Sequence, residues 1–511
     1  MNKRMRREVE SSCEYVLPDY MGDIKKILSS KAKVLPGGKF VSDGGVELTG
    51  AVEYEVIYAD SENKLTAVNA SSDYSVVLPV PSESYVGCAA DGRVSNFAIR
   101  ITGPRKMSLK ALVEVQSILT TSAELEVLGD VFDGEREVQY TSRQISVENA
   151  RYGKSLEREY AEEAERLSGV LSDEIEIIAT GGSVRVIESR PVDGGVLIKG
   201  VIIIGAIVRT PDQPPFAIRR EIPFEETVEI DGADKDMQFF VDGMVTSATL
   251  GLSDDGDESV ISVNAIAEFE AYAVENESVS VITDAYLREC PTECKYSDFE
   301  YTTLLACQIN EATVSERINR ASLGCADARE ILMLDGEIKA HTLSRVQNGV
   351  EISGDVGISG IACEINVDGS VGYTPIKATV PFAVNVNYNC QISEKTRIEC
   401  SASVVSCEGM LDADDMHLKC ILKIKSRIET QGNIRRLAEC TSVEGEYTVT
   451  DTPSPSHITV YYPTAEDSIF SVAKRFHTTT AKLACDNMIV DTASATDSSD
   501  SLAGIKKLVI R

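Results

Sequence analysis

The feature that most constrains the fold of this chain is a six-residue pattern that occurs three times. The pattern G-V-x-[LI]-x-G begins at Gly45, at Gly195 and at Gly349, so its copies are separated by 150 and 154 residues. Self-similarity at a nearly fixed spacing is typical of chains built from repeated structural units. The sequence therefore predicts three successive copies of one domain before any local secondary structure is assigned.

The segments around each copy alternate apolar and polar residues, which is the pattern of a strand with one buried face. Downstream of the second and third copies, residues 222–224 (IPF) and 380–382 (VPF) place a proline where an edge strand or the start of a strand tolerates it. Short strands separated by Gly, Asp and Pro favour antiparallel sandwiches over α/β units. The alternating segments upstream of the copies are residues 31–34, 183–186 and 337–340.

Two acidic runs precede equivalent strands of the second and third repeats. They are residues 254–258 (DDGDE) and residues 412–415 (DADD). Such runs could bind calcium, but neither has the ligand spacing and the closing Glu of an EF-hand loop. We therefore interpret both runs as solvated hairpin tips.

Helical segments are predicted between the strand-rich units. The clearest one precedes the second repeat, where apolar residues recur at spacings of three or four, as on one face of a helix. These residues are Leu156, Tyr160, Ala164, Leu167 and Leu171. Weaker helical patterns occupy residues 18–28 and 311–321.

The predicted fold is mainly β, with three tandem β-sandwich-like domains joined by short helices and a small C-terminal βααβ domain. The repeats are assigned to residues 30–130, 176–287 and 331–449. An N-terminal helical segment is assigned to residues 1–29, a linking helix region to 131–175 and a second linking region to 288–330. Residues 450–457 have two prolines and almost no apolar side chains, which predicts a stiff linker to the last domain at residues 458–511.

The tail after this linker predicts a compact βααβ module. Residues 458–462 alternate as a strand, and residues 467–468 (DS) are of the types that cap a helix N-terminus. Residues 469–476 have one apolar helical face. A second helix over residues 480–487 and a strand at residues 508–510 complete the predicted module.

The tail resembles a LysM domain through residues 467–470 (DSIF), residues 473–476 (AKRF), Leu483 and Asn487. The resemblance implies a groove for N-acetylglucosamine chains, formed by the loop before the first helix and the loop after the second. The residues assigned to this protein- or glycan-binding site are Glu466, Asp467, Ser468, Ile469, Phe470, Lys474, Met488 and Ile489.

The tail also departs from the usual LysM pattern. Glu466 and His477 stand where LysM domains usually have glycine, and residues 491–500 make the second loop acidic and rich in serine. These departures favour a protein ligand over a glycan. The tail is therefore predicted to be a protein-docking module.

The repeats resemble the SPOCS domain of endospore-forming bacteria through the G-V-x-[LI]-x-G pattern, the I/V-P-F segments and the predicted linking helices. The resemblance implies a scaffold without catalytic activity or cofactor, in the mother-cell cytoplasm and at the forespore surface and spore coat. It implies that the tail binds an ATPase of the coat basement layer that resembles SpoIVA, and that the chain ties other coat proteins to that layer. The alternative is a cell-wall protein whose tail binds peptidoglycan.

The charge of the chain argues against two classes of partner. The sequence has 81 acidic and 50 basic residues and a formal charge of -31, which repels nucleic acid and anionic lipid. No stretch approaches the 18 or so consecutive apolar residues of a membrane-spanning helix, and no apolar signal-peptide core follows the basic residues 1–10. We therefore expect a cytoplasmic protein without nucleic-acid binding or membrane insertion.

Catalytic and metal-binding patterns are absent from the sequence. It has no phosphate-binding loop, zinc-protease helix, nucleophile elbow or dinucleotide-binding glycine pattern. Cys290 and Cys294 form a C-x3-C pair without a matching second pair, so the 13 cysteines are interpreted as reduced residues and not as metal ligands. A hydrolase hidden in the acidic repeats is the least favoured hypothesis.

Overall fold

The computed structural model describes residues 2–42, 45–79, 85–121, 138–153, 155–211, 213–346, 349–366, 369–443, 458–464, 466–489, 502 and 505–510. This described part is mainly β, with two α-helices near the C terminus and a 3₁₀ turn at Ser172–Glu174. The predicted mainly β fold is therefore confirmed. The chain divides into two compact units: unit 1 comprises Met1–Ser122, Ala150–Glu275 and Leu305–Ile428, and unit 2 comprises Ala123–Asn149, Asn276–Leu304 and Glu429–Arg511.

Repeat 1 is a sandwich of two antiparallel three-stranded sheets. Its strands are β1 (Asn2–Val16), β2 (Ile24–Ser42), β3 (Gly45–Asp60), β4 (Leu65–Leu78), β5 (Tyr85–Gly103) and β6 (Lys106–Thr121). One sheet has the order β2-β3-β4 and the other the order β1-β6-β5. Val46 of β3 and Leu109 of β6 are fully buried in one apolar cluster, so the core lies between the two sheets.

Repeats 2 and 3 have the same arrangement of strands. Their strands, with β7 before them, are β7 (Val138–Tyr152), β8 (Leu156–Ser168), β9 (Glu176–Val192), β10 (Gly195–Thr210), β11 (Gln213–Glu229), β12 (Gln238–Asp255), β13 (Glu258–Leu287), β14 (Thr292–Asn319), β15 (Ala328–Val346), β16 (Gly349–Ile365), β17 (Val371–Asn387), β18 (Thr396–Leu411) and β19 (Asp415–Ser442). Sheet β9-β10-β11 shares a core with β12-β13-β8, and sheet β15-β16-β17 shares one with β14-β19-β18. In each repeat the first strand therefore pairs with the last.

The two glycines of the repeated pattern are explained by close backbone contacts. A side chain on the first glycine of each copy would collide with a carbonyl oxygen of the next strand, namely that of Leu78, Val228 or Val386. A side chain on the second glycine would collide with a carbonyl oxygen of the preceding strand, namely that of Leu35, Arg185 or Ala340. The central strand of each repeat is therefore held between two neighbours at distances that only glycine permits.

Replacing Gly200 with alanine should destabilise repeat 2 by about 1–3 kcal/mol, because the methyl group would overlap the Arg185 carbonyl and the Phe224 ring. Gly205 of the same strand is the matched control, since a methyl group there would meet no atom within 4 Å. Gly205→Ala should be neutral or slightly stabilising. Urea unfolding of both variants measures the difference, and equal midpoints would contradict this explanation of the pattern.

Equivalent residues of the three repeats meet in one apolar cluster of unit 1. Ile57, Ile207 and Ile361 each lie 12 residues after the first glycine of their copy, and all three are buried in this cluster. The residues 17 positions before that glycine join them there; these are Leu28, Ile178 and Leu332. We name this set the central cluster. The three repeats are therefore arranged around a shared centre with pseudo-threefold symmetry.

A charged residue lies beside the central cluster. Lys31, Gly181 and Asp335 occupy equivalent positions, each 14 residues before the first glycine of its copy. The Lys31 Nζ lies 3.5 Å from the Asp335 carboxylate and 3.0 Å from that of Glu55, and a Cβ on Gly181 would lie 3.6 Å from the same nitrogen. The polar contacts at this centre therefore differ from repeat to repeat, although the backbone arrangement repeats.

The predicted helices between the repeats are wrong. The helix predicted from residue 156 is strand β8, and residues 311–319 belong to strand β14. The N-terminal helical segment predicted at residues 1–29 contains strand β1, a loop at residues 17–23 and the start of β2, so residues 24–28 of the weaker helical pattern are also strand. Leu156, Tyr160 and Ala164 share a face in a strand as well as in a helix, because a spacing of four is also even. A bulge at Ala164, between the pairs Glu163↔Ser262 and Glu165↔Ile261, then resets the alternation. Leu167 therefore packs on the same core of repeat 2. The apolar residues of this strand thus have the spacings of three and four that are typical of a helix.

The two acidic runs are hairpin tips, as predicted. The first joins β12 to β13, with Asp255 opposite Glu258 and Gly256 at a φ of 72°. The second joins β18 to β19, where the Asp412 amide donates to the Asp415 carbonyl over 2.8 Å.

Unit 2 combines strands of the predicted linking regions, the ends of the last strands of repeats 2 and 3, and the C-terminal tail. It contains β7, the end of β13, the start of β14 and the end of β19, which share small apolar clusters around Val281 and Ala285. The tail consists of β20 (Thr459–Tyr461), α1 (Ile469–Arg475), α2 (Thr480–Asp486) and β21 (Leu508–Ile510), with β20 and β21 antiparallel. This is the predicted βααβ order. The predicted linker at residues 450–457 and the acidic loop at residues 491–500 lie outside the described residues.

Candidate functional site

The helices of the tail begin at capping residues that the sequence specifies locally. The Ser468 hydroxyl accepts from the Ser471 amide over 3.0 Å, and the Ser471 hydroxyl accepts from the Ser468 amide over 2.9 Å. This reciprocal pair satisfies amide groups at the start of α1 that have no partner within the helix. Thr479 caps α2 in a similar way by accepting from the Lys482 amide over 3.1 Å.

Asp467 orders the loop before α1. Its carboxylate accepts from the Thr464 amide over 2.7 Å, from the Thr464 hydroxyl over 2.9 Å and from the Tyr461 hydroxyl over 2.9 Å. These bonds, led by the one from the Thr464 amide, lower the pKa of the Asp467 carboxyl. The group is therefore charged at neutral pH and engaged within its own loop.

The backbone after each helix of the tail is left-handed without a glycine. His477 has a φ of 52° after α1, and Met488 has a φ of 54° after α2. Helix ends of this kind usually carry glycine, because a side chain is unfavourable there. His477, which stands where the predicted LysM pattern has glycine, thus has the left-handed backbone that glycine favours. The strained residue Met488 is also 92% exposed, and strain at an exposed apolar residue is a reason to look for a binding role.

Helix α1 packs against the end of strand β13 within unit 2. The Phe470 ring lies edge-on to that of Tyr286, with 5.3 Å between their centroids, and the Lys474 Nζ lies 2.6 and 2.7 Å from the two carboxylate oxygens of Asp284. The Tyr286 hydroxyl donates to the Thr478 carbonyl over 2.6 Å. Tyr286 is 1% exposed and belongs to the same apolar cluster as the core of the tail. We name Asp284 and Tyr286 the docking residues.

Tyr296 extends the docking contact. Its hydroxyl donates to the Asp284 carboxylate over 2.7 Å. Burial and this hydrogen bond to a carboxylate raise the pKa of Tyr296. Asp284 is therefore held between a tyrosine of strand β14 and a lysine of helix α1.

The eight residues assigned to the ligand site from the sequence do not form one exposed surface. Ile469 and Ile489 pack against the core of the tail, and Asp467 and Ser468 are engaged in the loop and the cap described above. Phe470 and Lys474 contact the docking residues, whereas Glu466 and Met488 are exposed. The assignment of all eight to a ligand stays a prediction.

Sequence reasoning missed an exposed apolar set on the first strand of the tail. Ile458, Val460 and Tyr462 are exposed at alternate positions, with Tyr462 at 70%. Their alternation was visible in the sequence, but it was interpreted only as evidence for a strand. We name these three residues and Met488 the exposed tail set.

The rest of the described chain offers little that points to a reaction. Within the described residues there is no group of three or more His, Cys, Asp and Glu side chains placed to hold a metal ion. Two surface clefts of unit 1, of about 410 and 450 Å³, have no histidine or cysteine in their lining. None of the described helices is both long and apolar enough to cross a membrane.

Comparison with known families identifies the second repeat. Residues 175–252 match the family described as SipL, SPOCS domain. This chain is a SPOCS-domain protein. The matched SPOCS region runs over strands β9 to β12, and repeats 1 and 3 share its strand order and its two closely packed glycines. The SPOCS resemblance proposed from the sequence is therefore confirmed, whereas the LysM resemblance of the tail stays a prediction. No curated protein and no solved structure matches this SPOCS-domain chain.

Proposed function

We propose that this protein is a non-enzymatic scaffold in the assembly of the bacterial endospore coat. The observation that carries the proposal is the match of residues 175–252 to the SPOCS domain of SipL. The three sandwiches around one apolar cluster support it, because they offer several outward surfaces in one compact unit. The proposed location is the mother-cell cytoplasm at the forespore surface.

The proposed partner of the tail is the ATPase of the coat basement layer that resembles SpoIVA, and other coat proteins contact the repeats. Since Phe470 and Lys474 are engaged by the docking residues, the exposed tail set is the better candidate for the contact. Tyrosine and methionine are enriched at protein interfaces, and a tyrosine often contributes strongly to binding. The apolar side chains of the exposed tail set would pack against an apolar patch on the surface of the partner.

Binding to this ATPase should be weakened about tenfold or more when Tyr462 and Met488 are both replaced by serine, because two exposed apolar contacts are lost. Co-purification with the ATPase, followed by a titration, measures the change. Ile187→Ser is the matched control, since Ile187 is also exposed but lies on strand β9 of repeat 2. The far-ultraviolet circular dichroism of each variant checks that it is folded.

Two outcomes of this experiment would count against the proposal. If the full-length chain does not bind the ATPase at all, the partner is wrong. If the double variant binds like the wild type, the exposed tail set is not the contact surface.

The alternative function is a cell-wall protein whose tail binds peptidoglycan. It is favoured by the βααβ order of the tail and by the exposure of Glu466 and Met488, which flank the two loops that form the glycan groove in LysM domains. Retention of the full-length chain on purified peptidoglycan, lost in the Tyr462→Ser Met488→Ser variant, would support this alternative.

A further inference from the structure

Two thiols of unit 2 lie close together beside the docking residues. The sulfur atoms of Cys294 and Cys440 are 3.6 Å apart, and both side chains are half-buried. They belong to the neighbouring strands β14 and β19. The scaffold function does not explain two half-buried thiols at this distance on adjacent strands.

The neighbouring contacts indicate that these cysteines face each other directly. Lys295 and Glu439, the next residues on the two strands, form an ion pair of 2.8 Å. On the other side, the Thr441 hydroxyl donates to the Glu293 carbonyl. Directly opposed residues in an antiparallel pair have Cα atoms about 4.5–5.5 Å apart, which lies within the range that a disulfide spans. Little backbone movement is therefore needed to join the two sulfurs.

The same thiols lie next to the contact that holds the tail. Tyr296, two residues after Cys294, donates to Asp284, and the Cys294 thiol lies 3.4 Å from the Ala285 carbonyl, between the two docking residues. Lys474 and Asp284 are close enough to Cys440 to influence its charge state. A bond between the thiols would therefore fix the strands against which helix α1 packs.

We propose that Cys294 and Cys440 form a disulfide when the protein meets an oxidant, and that this bond secures the tail on its docking residues. With a small disulfide such as oxidised glutathione, one cysteine thiolate attacks the oxidant, forms a mixed disulfide and releases one glutathione thiolate. The second cysteine thiolate then displaces the other glutathione. The two thiols lose two protons and two electrons, and the oxidant is reduced to two glutathione molecules.

The surroundings of Cys440 disfavour its thiolate form. Burial, together with the neighbouring Cys294 thiol, raises the pKa of Cys440 to about 12. The thiolate is the attacking species, so these surroundings slow the attack by Cys440.

Two other sets of cysteines provide a comparison within the chain. Cys407 and Cys420 are only 2.9 Å apart, but both are buried in the core of repeat 3, where an oxidant has poor access. Cys485 of helix α2 is exposed. Cys407 and Cys420 are therefore expected to react later than Cys294 and Cys440, and Cys485 is expected to take up glutathione without forming a bond within the chain.

The test uses the full-length protein, reduced and then exposed to oxidised glutathione at about pH 8, where thiolates form. After alkylation and digestion, mass spectrometry should find the linked peptides of Cys294 and Cys440 before any other internal link. Cys440→Ser should leave Cys294 as a glutathione adduct, and the control variant Cys485→Ser should keep the link. Hydrogen exchange of helix α1 should slow about threefold or more on oxidation of the wild type and not of Cys440→Ser.

Three results would overturn the proposal. One is that Cys294 and Cys440 are both still alkylated when the buried Cys407 has already reacted. Another is that Cys294 links to a different cysteine. The third is that the link forms but leaves the hydrogen exchange of helix α1 unchanged, which would show that the disulfide does not secure the tail.

Discussion

Replacing Tyr286 with alanine is expected to release the C-terminal tail from strand β13 and to destabilise unit 2 by about 3–5 kcal/mol, which is the usual cost of removing a buried aromatic ring. Tyr286 is almost fully buried in the core of the tail. Its loss also removes the edge-on contact with Phe470 and the hydrogen bond to the Thr478 carbonyl. The vacated space would be lined by Phe470 and by aliphatic residues of α1, α2 and β21.

Hydrogen exchange of α1 and α2 in the full-length chain measures this effect, because it reports local opening. Tyr286→Phe is the matched control: it keeps the ring and loses only the hydrogen bond, so its cost should be about 1 kcal/mol. Exchange in Tyr286→Ala as slow as in the wild type would show that the tail is stable without this contact.

Replacing Ile207 with alanine should cost about 2–5 kcal/mol, because it leaves a cavity at the shared centre of the three repeats. The equivalent variants Ile57→Ala and Ile361→Ala should have costs of similar size, since all three side chains are buried in the central cluster. Ile187→Ala is the control on an exposed position and should change stability by less than about 0.5 kcal/mol.

Urea unfolding of unit 1 tests the central cluster further when two of these changes are combined. Because Ile57 and Ile207 belong to one cluster, the cost of the double variant should differ from the sum of the single costs. If the costs add, or if one of the three variants is as stable as the wild type, the repeats do not share a single core at this point.

The sequence predicted the strands of the repeats well because their pattern has a steric cause. Each glycine of the pattern is required by a carbonyl of the adjacent strand, so it persists where the remaining residues vary. The helical prediction failed for β8 because the bulge at Ala164 produced spacings of four, four and three along one face. The periodicity of one segment contains no information about the strand that pairs with it, and the position of a bulge depends on that pairing.

The candidate site was predicted only in part. The caps of α1 and α2 are local, so Ser468 could be recognised from its own neighbourhood. The docking residues could not, because Tyr286 and Asp284 lie about 190 residues before the groups that they contact. Phe470 and Lys474 lie one helical turn apart, and this sequence pattern is the same whether the two side chains contact a ligand or another part of their own chain.

The contact between Lys31 and Asp335 has a consequence for the way in which three similar domains can be assembled. Three separate identical chains would place the same residue three times at this position, and three lysines there would repel one another. In one continuous chain the position holds a lysine, a glycine and an aspartate instead. Covalent linkage therefore lets each domain differ from the other two, so that one molecule presents three chemically distinct surfaces in a fixed ratio and in fixed directions.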